Sequence, residues 1–420
     1  MPDLRRWRRL ACACLFVVCL AVLHVAAAGE QPSWPQWHGP NRDNISTETG
    51  LLKKWPEGGP RLLWQTKGLG FGYSTVVIAD GRIVTTGNMG EDCVITAMNM
   101  SGKVLWRAKN GKAWQNPYPG TRGTPIIEGD RIYHEGAFGD VICLDAKTGK
   151  EVWTVNILER FESKNIRWAL AESLLVNGDR VICTPSGPEA SVVALDKKTG
   201  KTVWTAPSAG DLAGYASPIL AEYEGLRIIV ALTSHHMIGV NADTGDLLWK
   251  VRYTSLFDEN VLTPIFRDGH IYVSCLKTGT VKWKVNVKGK TASVKQVWHS
   301  EELDNHHGDV ILLDGYLYGA STALNRQKWI CLDAETGGIV YAVAGVGKGA
   351  VTCADGKLYI MSEKGRVGLM PASPMDRAVI SSFQVPGKGK GKYWAHPVVC
   401  GGRLYIRHGG LLYVYDIRGK

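Results

Sequence analysis

Several common chemical signatures are missing from this chain. Its ten cysteines include no C-x-x-C and no C-x-x-C-H, so neither a redox dithiol nor a covalent haem attachment can be assigned. No Asp/Glu/His set falls at metal-ligand spacing, and no metal is assigned. Few stretches carry apolar residues at helical spacing. Apart from one apolar run near the N-terminus, no stretch of about 20 apolar residues occurs, so no transmembrane anchor is expected. Phenylalanine is scarce: 7 residues against 15 Trp and 15 Tyr.

What is present begins with an address. "MPDLRRWRRL" is followed by the apolar run "ACACLFVVCLAVLHVAAA" and then Gly29. A basic start, an apolar middle and small residues at its end predict a secretory signal peptide over residues 1–28. Cys12, Cys14 and Cys19 would leave with it. The remaining seven, from Cys93 to Cys400, lie mostly within apolar strand runs, and are expected as small buried hydrophobes. The formal charge of +10 leaves the mature chain basic, helped by Lys388, Lys390 and Lys392. Export argues against nucleic acid as a partner and favours anionic polymers or an acidic protein surface.

The rest of the chain repeats itself. An apolar run, a two-residue turn and a second apolar run recur eight times, from "VVIADGRIVTTG" at Val76 to "VVCGGRLYIRHG" at Val398. Asp-Gly, Gly-Asp and Gly-Gly between alternating runs read as hairpin turns. Between them a second hairpin recurs, as "CLDAKTGKEVW" at Cys143, "ALDKKTGKTVW" at Ala194 and "CLDAETGGIVY" at Cys331. Two hairpins per period of roughly 40–50 residues make one four-stranded propeller blade. The expected fold is therefore all-β, an eight-bladed β-propeller over residues 61–420, preceded by an irregular strap over 29–60. The last blade has only three strands before the chain ends. The spare strand "RLLWQTK" at Arg61 should complete it, with Trp64 in the place of the missing aromatic.

The phrase A-x-D-x-x-T-G-x-x-x-W resembles the tryptophan-docking repeat of the pyrroloquinoline quinone (PQQ) propellers, which include quinoprotein alcohol dehydrogenases and the outer-membrane assembly factor BamB. The opening "WPQWHGPNRDNISTETG" also resembles a leader of uncharacterised exported bacterial proteins of this type. The resemblance implies structural docking roles for Trp64, Trp106, Trp153, Trp204 and Trp249. The same holds for the turn residues Asp145, Gly149, Asp196, Gly200, Gly245, Asp333 and Gly337. It also implies what a quinoprotein enzyme would need: a Trp, a disulfide of adjacent cysteines, and calcium held by acidic and amide side chains. The mature chain has no adjacent cysteines and no evident calcium set, so PQQ with calcium is not expected as a cofactor.

Blade topology sorts the loops. The two kinds of hairpin turn share one face of the ring, and the connections between blades share the other. On that second face, just ahead of the innermost strands, fall the candidate ligand-binding residues Arg122, Arg167, Trp168, Tyr215, Asn260, His306, His307, Lys348, Trp394 and His396. They predict a basic, aromatic-rimmed funnel at the mouth of the central channel, with histidines that would make binding pH-sensitive near 6.5. Three functions compete. The first is an exported monomeric binding or scaffold protein for an envelope partner or an anionic, sugar-like ligand. The second is a PQQ-dependent dehydrogenase. The third is a polysaccharide lyase or hydrolase using the funnel His, Tyr and Arg residues. The first, without catalysis, is the reading favoured here.

Overall fold

The computed structural model describes residues 32–323, 327–387 and 389–419. The expected signal peptide and Lys388 lie outside them. The described chain forms eight sheets of four antiparallel strands, one of them extended by a fifth. Blade 1 runs from Val77–Ala79 outward to Val104–Lys112, and blade 2 from Ile126–Glu128 to Glu151–Asn156. Blades 3, 4, 5 and 6 start at Leu175–Asn177, Ile219–Tyr223, Ile265–Arg267 and Val310–Leu313. Blades 7 and 8 start at Gly349–Ala354 and Val398–Cys400. The inner hairpins turn as their sequences demand. At Asp80–Gly81, Asp268–Gly269, Asp314–Gly315 and Asp355–Gly356 both residues have positive φ, the signature of a type I′ turn. No helix among the described residues is long and apolar enough to cross a membrane.

Blades are joined by docking contacts. Asp145 accepts bonds from the backbone N–H and hydroxyl of Thr148, both at 2.7 Å. That fixes the turn so that Gly149, at φ 72°, lies against the ring of Trp106 in the preceding blade; a Cβ there would come within 2.5 Å of the indole. Gly200 receives Trp153, Gly245 receives Trp204 and Gly337 receives Trp298 in the same way. Asp196 and Asp333 repeat the Asp145 bonds. The indole N–H of Trp106, Trp153 and Trp298 donates to a carbonyl of the next turn. Blade 5 lacks the Asp-x-x-Thr-Gly turn, and there Trp249 belongs to a buried cluster that includes Val285 and Ala292, its indole N–H without a partner among the described residues.

Closure follows the same rule. Arg61–Thr66 pairs antiparallel with Leu411–Asp416, and Trp64 lies against Gly102 of blade 1. The spare strand thus completes blade 8, which would otherwise have three strands. All seven described cysteines are buried and unpaired.

The strap between Pro32 and Trp55 is where the structure adds most. Trp34 exchanges backbone hydrogen bonds with Ile78 at 2.7 and 2.8 Å, and Pro35 accepts from the N–H of Ile127. Arg42 donates to the carbonyls of Ser173 and Leu174. Ile45–Ser46 adds the fifth strand, parallel to Gly349–Ala354. These partners lie in, or just before, the innermost strands of blades 1, 2, 3 and 7. A segment that touches inner strands around the ring occupies the axial channel. It begins beside the blade 8 turn, with Pro32 near Gly401, and returns there, where Glu48 accepts from the N–H groups of Gly401 and Gly402. The funnel is therefore a cup with a floor. The physical reason is that innermost strands present an unpaired row of N–H and C=O groups to the axis, and the strap satisfies part of it.

Candidate functional site

The cup lies on the connection face. Its cavity, about 350 Å³, is lined by seven of the ten candidate residues: Arg122, Trp168, Tyr215, His306, His307, Trp394 and His396. Each is carried by a connection just ahead of an innermost strand, so the blade pattern itself brings them together. Tyr73, Tyr118, Phe257, Glu259, Asp309 and Trp37 complete the wall and floor.

The cationic side is built on Arg122. Its guanidinium donates to the carbonyls of Tyr118 at 2.8 Å and Gly120 at 3.1 Å and lies 5.7 Å from the centre of the Tyr73 ring. No carboxylate pairs with it among the described residues. Burial lowers its pKa. Arg167 does not line this cavity but the neighbouring depression, stacked on Trp168 at 4.6 Å and near Phe257 at 5.6 Å. Trp168 packs beside Tyr215, its backbone N–H donating to the phenol oxygen at 3.3 Å.

The opposite wall is a polar chain. Lys348 sits behind His306, with Nζ 3.0 Å from His306 Nδ1 and 3.3 Å from Glu363. An ammonium group only donates, so His306 Nδ1 accepts and Nε2–H donates to Glu259 at 3.1 Å. The His307 ring lies between His306, at 3.6 Å, and Trp394, stacked at 4.3 Å. Burial, then the neighbouring positive groups, push the His307 pKa well below the ordinary histidine value. Burial also lowers His396 to about 4. Both imidazoles are thus neutral at pH 6.5, and the expected pH sensitivity there does not come from these two histidines. Asn260 has a different place from the one its position suggested. It is fully buried, and its amide donates to the carbonyls of Thr233, Ser234 and Tyr253, bracing the connection into blade 5.

At the floor, the strap contributes Trp37 and His38. His38 Nε2 lies 3.0 Å from Asp309 Oδ2 and 3.2 Å from His396 Nδ1. His396 Nε2 lies 2.9 Å from the His307 carbonyl. Trp37 stacks on His38 at 4.1 Å, and its indole N–H reaches Thr263 at 2.9 Å. A second polar cluster stands apart, in a neighbouring depression: Asp211 lies 2.6 Å from His236 and 3.3 Å from His235.

Sequence reasoning missed Trp37, His38, Glu259 and Asp309. Asp309 sits at the end of the same "DNHHGD" stretch as His306 and His307, and its position ahead of a strand could have singled it out. Nothing in the blade pattern points to the strap residues.

An eight-bladed ring joined by tryptophan docking, with a loop-face cup, defines a propeller of the PQQ-repeat class. The chain belongs to the family described as outer membrane protein assembly factor BamB, whose pattern matches residues 90–343. It is 24% identical to BamB of Burkholderia pseudomallei over 291 residues, 68% of each chain. It is 30% identical to quinoprotein ethanol dehydrogenase of Pseudomonas aeruginosa over 142 residues, which is 31% of this chain and only 22% of that enzyme. Among solved structures, BamB from Moraxella catarrhalis superposes with a TM-score of 0.61 at 16% identity, covering 85% of this chain and all of that one. The quinohemoprotein alcohol dehydrogenase of Comamonas testosteroni gives 0.66 at 14% identity, over 94% of this chain and 82% of its own. These superpositions establish the shared fold.

Proposed function

We propose that this is an exported envelope protein that captures an acidic, sugar-like ligand in the cup. The observation that carries the reading is Arg122, a half-buried guanidinium without a carboxylate partner among the described residues, facing a cavity walled by Trp168, Tyr215 and Trp394. Aromatic faces suit the apolar faces of sugar rings, and a partly desolvated cation suits a carboxylate or sulfate. The volume, about 350 Å³, is at the small end of ordinary ligand sites. Export is supported by the N-terminal sequence and by the BamB relatives, described as outer membrane protein assembly factors.

The donors in the cup do not fit PQQ with calcium as a quinoprotein would hold them. No cysteine lines the cavity, and all seven described cysteines are isolated and buried. The two lining carboxylates, Glu259 and Asp309, already face His306 and His38. A lyase or hydrolase acting on the same ligand is the second reading, and the Glu259–His306–Lys348 chain is the observation behind it.

The test is calorimetric titration with short uronic-acid oligosaccharides and their neutral counterparts. Binding should be confined to the acidic series. Arg122→Gln should weaken it by 10- to 100-fold, from about 1.5–3 kcal/mol for a charged hydrogen bond. Trp168→Ala should also weaken it. No binding of either series, or affinities unchanged in both variants, rejects the reading. Chain shortening on incubation would promote the second one.

A further inference from the structure

We infer that His38, Asp309 and His396 form a binding site for a divalent transition metal of the zinc class at the floor of the cup. The inference goes beyond ligand capture and does not depend on it. All three side chains are buried, and one ligand atom from each lies within 4.8 Å of the others.

Proton accounting sets the argument. His396 Nε2 faces a carbonyl oxygen, that of His307, so Nε2 carries the hydrogen. With its one hydrogen placed on Nε2, the imidazole presents Nδ1 as a lone pair, aimed at His38 Nε2 from 3.2 Å. Asp309 Oδ2, another acceptor, is aimed at the same nitrogen from 3.0 Å. Two acceptors therefore converge on one nitrogen that can offer at most one hydrogen. A cation among the three satisfies all of them. Two of the three separations, 3.0 and 3.2 Å, are close to the separation of about 3.3 Å between ligand atoms in a tetrahedral zinc site with bonds of 2.0–2.1 Å, and the third lies within 4.8 Å.

The surroundings match a metal site as well. A ligating histidine ordinarily donates its other N–H to a carbonyl or carboxylate, which fixes the ring. His396 does this with His307. Asp309 Oδ1 accepts the N–H of Val310 at 3.1 Å, leaving Oδ2 free to ligate. Trp37 covers the His38 ring. The three residues come from the strap, the start of blade 6 and the start of blade 8, so the site exists only in the assembled ring. Two imidazoles and one carboxylate suit zinc or iron(II) rather than calcium, which takes six to eight oxygens. Asp309 and His396 also line the cavity, so a further coordination position would face it.

Cobalt(II) is the probe, added to purified, chelator-treated full chain. We expect uptake of one equivalent with visible d–d absorption, displaced by zinc. His38→Gln, Asp309→Asn and His396→Gln should each lower affinity roughly 100-fold or more. His235→Gln, in the separate Asp211 cluster, should leave it unchanged. X-ray absorption on the zinc-loaded wild type should show two imidazoles in the shell, a readout that needs no variant to fold. The proposal fails if the folded wild type takes up no stoichiometric metal. It also fails if uptake survives Asp309→Asn and His396→Gln, if His235→Gln abolishes it, or if the shell lacks imidazole.

Discussion

Gly200 illustrates how single residues hold this ring together. Its φ of 68° is left-handed, and an added Cβ would lie 2.7 Å from the Trp153 ring. Strain and overlap act together. Gly200→Ala is expected to cost about 1–3 kcal/mol, seen as a lower midpoint in urea; Gly210→Ala, equally left-handed but with open space around its Cβ, should cost less. A second residue-scale prediction concerns Glu172, buried beside Glu135 and Arg42. Desolvation raises its pKa to about 7, against bonds from Thr184 and the charge of Arg42. Desolvation and the Glu172 carboxylate hold Glu135 well above the ordinary range too. A carboxyl with a raised folded pKa favours folding while protonated. That contribution is complete below the unfolded pKa near 4.5 and is lost as pH rises through about 7. Melting temperature should therefore fall across that interval, and Glu172→Gln should flatten the fall. An unchanged slope in the variant would remove Glu172 from the account.

At the scale of elements, two N-terminal pieces do separate work. The strap fills the axis, with Trp34 only 2% exposed in the layer between blades 1 and 8. Trp34→Ala should cost about 3–5 kcal/mol, as for other large core truncations. The strand Arg61–Thr66 is the outermost strand of blade 8, paired with Leu411–Asp416. A chain starting at Pro60 should lose the strap's share of stability while keeping the closed ring. One starting at Gly68 should melt lower still and aggregate, because the edge of Leu411–Asp416 is then open. Equal melting points for the two truncations would show that the strand adds nothing.

At the scale of the whole molecule, every blade packs on its neighbours, and the last strand of the ring is supplied by its beginning. Clusters such as Val77, Ile95, Ile132 and Leu144 belong to two blades at once. A closed ring of this kind cannot lose one blade without exposing two others. Unlike an open repeat array, it should unfold in one step. Far-UV circular dichroism and tryptophan fluorescence should give coincident transitions; separated midpoints would mean that the blades unfold in groups.

The amino-acid sequence alone determined the repeat, and with it the number of blades, the turn types and the docking pairs. These depend on local rules: Asp-Gly needs positive φ at both residues, and a Thr-Gly turn needs an Asp to cap it and a Trp to receive it. Blade order also determined which face gathers the variable connections, and seven of ten candidates from them meet in one cavity. Tertiary structure decided what no spacing carries. Asn260 and His306 occupy comparable positions ahead of an inner strand, yet one turns inward to three carbonyls and the other faces the cup. His38 lies in a strap without periodicity, and it meets both Asp309 and, more than 350 residues away, His396. Only closure of the ring around the strap brings them together, because the unpaired inner edges of the blades draw that segment into the channel.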